Sequence, residues 1–112
     1  VYDYACAICG SQRRSPTGNP EIEAAHIYPK NQGGRDIVPN GIGLCKLHHW
    51  TFDVGWLTIS EDYKVIVGEA NNVTTPNDLS NLNGRNVEVP SEEEAKPAEQ
   101  FLRKHRKLHG FE

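Results

Sequence analysis

The sequence has no methionine, and no apolar run approaches the roughly 18 residues that a membrane-spanning helix requires. No segment of this sequence is therefore expected to span a membrane as a helix, and no charged-then-apolar secretory leader is visible in it. Aromatic residues make up only 8% and apolar residues 37%, against ten glycines and seven prolines. A domain of 112 residues buries about two thirds of its unfolded surface. With so many turn formers it needs a staple beyond its hydrophobic core. Excess positive charge is missing too: the formal net charge is −3. Residues 1–60 carry five basic and five acidic side chains, residues 61–94 two and eight, and residues 95–112 five and two. A diffuse electrostatic grip on nucleic acid is excluded, and any such face must be local. Cysteine is scarce and odd in number, at three, which argues against a closed disulfide framework. It fits thiolate metal ligands in a reducing compartment, hence an intracellular, cytoplasmic protein. The chain opens Val-Tyr-Asp, which suggests a piece of a longer protein.

What is present concentrates between Glu23 and Gly55. Residues 4–10, YACAICG, form a Cys6-x2-Cys9 knuckle closed by a glycine. A second pair, Cys45-x2-His48, is separated from the first by 35 residues. Zinc takes four tetrahedral N/S ligands, and paired knuckles deliver them two at a time. Such a site has no open position and would be structural, clamping the N-terminal turn to the helix that carries His48. Either His48 or His49 can serve, and the two-residue gap favours His48.

The pattern predicts a strand over Ile22 to Tyr28 ended by Pro29, and a loop to Pro39 bending at Gly33-Gly34. It predicts a turn at Asn40-Gly41 and a helix from Ile42 that Gly55 ends. Trp56 to Ser60 and Tyr63 to Val67 alternate around Glu61-Asp62, as in a hairpin. Asn71 to Asn86 reads as turns, with a reversal at Asn83-Gly84, and Val87 to Val89 as a short strand. Pro97 would open a last helix running to about Leu108. Its apolar stripe is Ala98, Phe101, Leu102, His105 and Leu108.

With His48 on zinc, His49 points about 100° away round the helix, and Asp53 shares its face one turn on. A histidine and a carboxylate so spaced can hold one divalent metal with water positions open. His26, leaving its strand toward that helix, can serve as general base on a water. Asn40 can order the intervening loop. Arg13, Arg14, Lys30, Arg35 and Lys104 are candidates for phosphate contacts, together with the basic face from Arg103 to Lys107. His105 and His109 also have metal spacing, but His105 on an apolar stripe reads as a core residue.

Taken together, Cys6-x2-Cys9, Ala25-His26-Ile27-x-Pro29, Asn40-Gly41-x2-Leu44 and Cys45-x2-His48-His49 resemble the HNH nuclease family. The run NGIGLCKLHHWTFDVGWLTI is similar to that family's domains in modification-dependent restriction enzymes. The resemblance implies an α+β fold: a small ββα-metal domain with a structural zinc knuckle, an added β-hairpin and a C-terminal helix. The knuckle and ββα core would span about 4–60, the hairpin about 56–67 and the C-terminal extension and helix about 87–109. It implies a metal-dependent DNA endonuclease with His26 as base, Asn40 ordering the loop, and His49 and Asp53 on a catalytic Mg²⁺ or Mn²⁺, with Ni²⁺ or Co²⁺ as further candidates. Structural Zn²⁺ would sit on Cys6, Cys9, Cys45 and His48. DNA is the implied partner, with a fused DNA-reading domain outside this chain and a homodimer for duplex cutting. The sequence departs from many family members at Ala25, where an acidic residue or histidine usually precedes the base. Glu23 shares that strand face and is a candidate replacement. The rival readings are a zinc-stapled nucleic-acid-binding module whose nuclease centre has decayed at Ala25, and a purely structural zinc domain.

Overall fold

The structure, a computed structural model, describes residues 5–70 and 72–112. Tyr4 of the expected knuckle and Asn71 of the polar segment lie outside them. The chain enters through the Cys6–Cys9 turn. Gly10 takes a left-handed conformation (φ 77°) that lets its N–H bond the Cys6 carbonyl at 2.8 Å. Ala7 N–H then docks the knuckle on Gly43 O at 2.9 Å.

Strands β1 (Glu23–His26) and β2 (Gly41–Leu44) pair antiparallel, with Glu23 opposite Leu44 and His26 opposite Gly41. Strand β1 is shorter than the expected 22–28. Beyond His26, the amide of Ile27 bonds Asn40 O and the amide of Tyr28 bonds the Asn40 side chain. A side chain thus replaces the next rung of the ladder. The expected helix from Ile42 is corrected: residues 41–44 are strand, and helix α1 spans Lys46–Asp53. Gly41 and Gly43 are poor helix formers. Ile42 and Leu44, two apart, are both buried. Cys45, still extended, is the N-cap. Gly55 ends the helix in a left-handed conformation (φ 87°). A Cβ there would lie 2.7 Å from His109 Nδ1, so both conformation and space require glycine.

The expected hairpin forms with shorter strands, β3 (Leu57–Ile59) and β4 (Val65–Val67), Leu57 facing Val67. Val87 to Val89 is not a strand. Pairing there stops at an isolated bridge of Asn86 with Lys64, where Val87 N–H bonds Tyr63 O, while Glu88 N–H, on the opposite side, bonds Ala7 O. A one-turn helix, α2 (Asn77–Ser80), stands behind Pro76, pinned by buried Leu79. Gly84 makes the expected reversal with φ 86°.

Helix α3 (Glu99–Leu108) begins after Ala98 rather than at Pro97. Phe101, Leu102 and His105 bury as the stripe requires, while Leu108 stays 41% exposed. Arg106 takes the inner position instead. Its guanidinium bonds Ile59 O at 2.8 Å and pairs with Glu99 and Glu112, so it leaves the basic face expected from Arg103 to Lys107. His105 stacks on Phe52 with centroids 3.7 Å apart, donates from Nε2 to Phe52 O and accepts from the Thr58 hydroxyl at Nδ1. Burial pushes its pKa down to about 3, so it is a neutral core residue tying α3 to α1 and β3. Among the described residues no helix is long and apolar enough to cross a membrane.

Candidate metal centre and active site

The knuckle and the start of α1 bring Cys6, Cys9, Cys45 and His48 together, their ligand atoms all within 4.8 Å of one another. Cys9 Sγ lies 3.9 Å from Cys45 Sγ, and His48 Nδ1 lies 3.7 Å from Cys6 Sγ and 3.3 Å from Cys45 Sγ. A tetrahedron with metal–sulfur bonds of about 2.3 Å has edges of roughly 3.8 Å, slightly less where a nitrogen replaces sulfur. These three edges lie close to that, and the donor set suits a borderline-soft cation. Cys6, Cys45 and His48 are buried. All three cysteines are free thiols. Burial works against the Cys6 thiolate, but the surrounding backbone N–H groups prevail and lower its pKa. Cys45 is pushed up to about 11, first by burial and then by the charge of Cys6 and Cys9. A cation among them would offset that cost and let all three sit as thiolates. These four residues can hold a metal, and the choice of His48 over His49 made from spacing agrees with this geometry.

The loop between β1 and β2 is organised by Asn40, which is 1% exposed. Its Oδ1 accepts from Tyr28 N–H at 2.9 Å, and its Nδ2 donates to Tyr28 O at 3.1 Å and Arg35 O at 2.9 Å. Gly34 fits under this staple because it has no side chain: a Cβ would sit 1.8 Å from Tyr28 O. The loop returns Asp36 to the end of β1, where its Oδ1 meets His26 Nε2 at 2.5 Å while Oδ2 holds Lys30 Nζ at 2.8 Å. The Lys30 hydrogen bond, then that of His26, lowers the Asp36 pKa. Nothing in the spacing of the sequence singled out Asp36; only loop closure by Asn40 brings it to His26.

His49 lies on the β1 side of α1, between two carboxylates. Glu23 Oε1 contacts its Nδ1 at 2.8 Å and Asp53 Oδ2 its Nε2 at 3.1 Å. Glu23 also binds Lys46 Nζ at 3.0 Å. Its pKa is lowered by the His49 hydrogen bond first and by that of Lys46 second. Burial raises the Asp53 pKa, against the pull of His49 and His109. The charges of Glu23 and His26 also act on Asp53. Glu23, two residues before the departure at Ala25, therefore reaches the catalytic histidine candidate. It does so on the nitrogen opposite Asp53. His26, His49 and Asp53 do not form a tight ligand cluster of the kind the cysteines form; among the described residues that tightness belongs to the Cys3His group.

The basic candidates are spread and mostly engaged. Arg13 pairs with Glu21 at 2.9 Å, Arg14 donates to Gly18 O at 2.9 Å, and Lys30 is held by Asp36. Arg35 is exposed beside the Asn40 staple. Lys104 of α3 stands 5.3 Å over the Tyr28 ring, which brings one cation of the last helix to the loop that follows His26.

A family model described as HNH endonuclease matches residues 6–60. Among solved structures, a modification dependent TagI restriction endonuclease superimposes with a TM-score of 0.75 at 27% identity, over 96% of this chain and 34% of that one. The chain thus spans about a third of that protein's length. No curated protein matches it.

Proposed function

Residues 6–60 belong to the HNH endonuclease family, and from that premise we propose that this chain is the cleavage domain of a metal-dependent DNA endonuclease. The observation that carries the proposal is His49, clasped between Glu23 and Asp53 on a helix beside the strand that delivers His26. Glu23 accepts Nδ1–H of His49, which fixes the ring and leaves Nε2, on the Asp53 side, as the ligand atom. His49 Nε2 and Asp53 Oδ2 would hold the divalent cation, Mg²⁺ or Mn²⁺, with Ni²⁺ or Co²⁺ also suited to an imidazole ligand. When bound, that cation supplies Lewis-acid stabilisation of the phosphate and of the leaving oxygen. His26 takes the proton from the attacking water. Asn40 keeps the loop behind His26 in place. Cys6, Cys9, Cys45 and His48 hold structural zinc, and no step of the reaction passes through them. Arg13, Arg14, Lys30, Arg35 and Lys104 are the candidate phosphate contacts; of these, Arg13, Arg14 and Lys30 would have to exchange their present partners.

The solved neighbour is named a modification dependent restriction endonuclease. On that analogy the substrate is duplex DNA, a fused domain outside this chain reads modified bases, and two copies cut the two strands. Free thiols suit a reducing, intracellular setting. The test is divalent-metal binding by the zinc-loaded protein, measured with Mn²⁺ by electron paramagnetic resonance beside a plasmid cleavage assay. His49→Ala is expected to lose both Mn²⁺ binding and cleavage while keeping its zinc. His26→Ala is expected to keep Mn²⁺ and lose cleavage. Mn²⁺ binding and cleavage undiminished in His49→Ala would refute the assignment.

A further inference from the structure

Asp36 is exposed, and an ion pair at the surface adds little to stability. Its geometry is nonetheless specific. One carboxylate oxygen is on His26 Nε2 and the other on Lys30 Nζ. The segment carrying it is closed at both ends by Asn40, through Tyr28 and through Arg35, the residue before it. We propose that Asp36 is the positioning residue of the general base, holding the His26 ring with Nε2 protonated so that Nδ1 presents its lone pair to the attacking water. This inference rests on His26 acting as base.

The chemistry follows from the bond. A carboxylate is acceptor-only when ionised, so the Asp36 contact requires a proton on Nε2. A neutral imidazole then has one free nitrogen, Nδ1, and a base must offer a lone pair there. As Nδ1 takes the proton of the water, positive charge develops on the ring next to Asp36. The same carboxylate that sets the orientation then stabilises the imidazolium, the relation of base and orienting acid in hydrolytic triads. Lys30 fixes the carboxylate from the other side, and its hydrogen bond, together with that of His26, keeps the acid ionised. Lys30 is therefore engaged in holding Asp36, which weakens its standing as a phosphate contact.

The test is a double-substitution cycle in the full-length protein, with plasmid cleavage under saturating Mn²⁺ as readout. Asp36→Ala is expected to lower kcat by about 10- to 1,000-fold with little change in KM, no more than His26→Ala does. In the His26→Ala background, Asp36→Ala is expected to have no further effect. A loss that persists there would mark a structural role and overturn the proposal. Asp36→Asn, which can still accept from Nε2–H, is expected to retain more activity than Asp36→Ala. A second readout does not depend on cleavage: ¹⁵N NMR of the His26 ring. Nε2 protonated and hydrogen-bonded in the wild type, and released to solvent in Asp36→Ala, supports the proposal. Nδ1 protonated in the wild type overturns it. Should the NMR result hold while His26→Ala cleaves normally, the failure belongs to the assignment of His26 as base, and the positioning role falls with it.

Discussion

Replacing Asn40 by alanine removes three hydrogen bonds at once, to Tyr28 N, Tyr28 O and Arg35 O, at a position only 1% exposed. Each net hydrogen bond contributes about 1 kcal/mol, and a buried group left unpaired costs about 1–3 kcal/mol. Arg35 is exposed, so water can reach its carbonyl, which moderates the sum. The expected loss is about 2–4 kcal/mol, a melting temperature lower by roughly 10–20 °C for a domain of this size. Denaturant unfolding gives the global figure, and amide exchange at Ile27 and Tyr28 gives the local one. Both amides lie at the staple, so their protection should fall furthest. Cleavage should fall as well, because the loop carries Asp36 to His26. Asn40→Asp sharpens the test. Its Oδ1 can still accept from Tyr28 N–H, but its second oxygen faces two carbonyls. In that variant the folded state favours the protonated carboxyl, so its pKa is raised above the unfolded value of about 3.9. The folded state then binds more protons, and stability falls as pH rises through the window above about 4. A loss below about 0.5 kcal/mol in Asn40→Ala, with exchange at Tyr28 unchanged, would refute the idea that this side chain organises the loop.

Stripping metal with a strong chelator, or Cys45→Ser, should abolish cooperative unfolding, because structural zinc contributes about 10–16 kcal/mol of apparent binding energy to such sites; calorimetry with zinc analysis checks it. Gly34→Ala forces a Cβ to 1.8 Å from Tyr28 O and should cost about 2–4 kcal/mol. Gly33→Ala, with open space but φ 96°, should cost only about 1–2 kcal/mol in the same denaturation assay. His105 is held neutral, with its pKa pushed down to about 3 against an ordinary 6.5. The unfolded chain therefore binds the extra proton between those values, and stability should fall with acid by up to about 1.4 kcal/mol per pH unit there. NMR titration should find the His105 ring still neutral at pH 5.

The parts of the site legible in the sequence are those whose chemistry fixes a spacing. Two ligand pairs of fixed gap imply a tetrahedron, and the structure gathers Cys6, Cys9, Cys45 and His48 with their ligand atoms within 4.8 Å of one another. His49 and Asp53 follow from helical periodicity once His48 is assigned. Asn40 could be singled out because Asn-Gly between two apolar runs makes a turn, and the bonds found are of the kind expected. What the sequence hid depends on long-range closure. Asp36 reaches His26 only across a folded loop, and Glu23, a candidate from its strand face, is shown meeting His49 Nδ1 only by the packing of β1 beside α1. The misplaced start of the helix at Ile42 has a simple cause. Leu44, Leu47 and His48 fit a helical period, and nothing local shows that Ile42 faces Ala25 across a ladder. Arg106 drops out of the basic face expected from Arg103 to Lys107 because its two carboxylate partners, Glu99 and Glu112, come from either end of the same terminal segment and no local pattern pairs them.

The most direct test of the account is plasmid cleavage by the full-length, zinc-loaded protein after EDTA treatment and return of Mg²⁺, Mn²⁺ or Ni²⁺, wild type beside His26→Ala. DNA with and without modified cytosine should serve as substrate. The account expects cutting that requires the added divalent metal and falls by about 100-fold or more in the folded, zinc-loaded variant. Equal cutting by His26→Ala, or intact DNA binding without cutting under every metal and substrate, would contradict it; the second result would identify a binding module whose centre lapsed at Ala25.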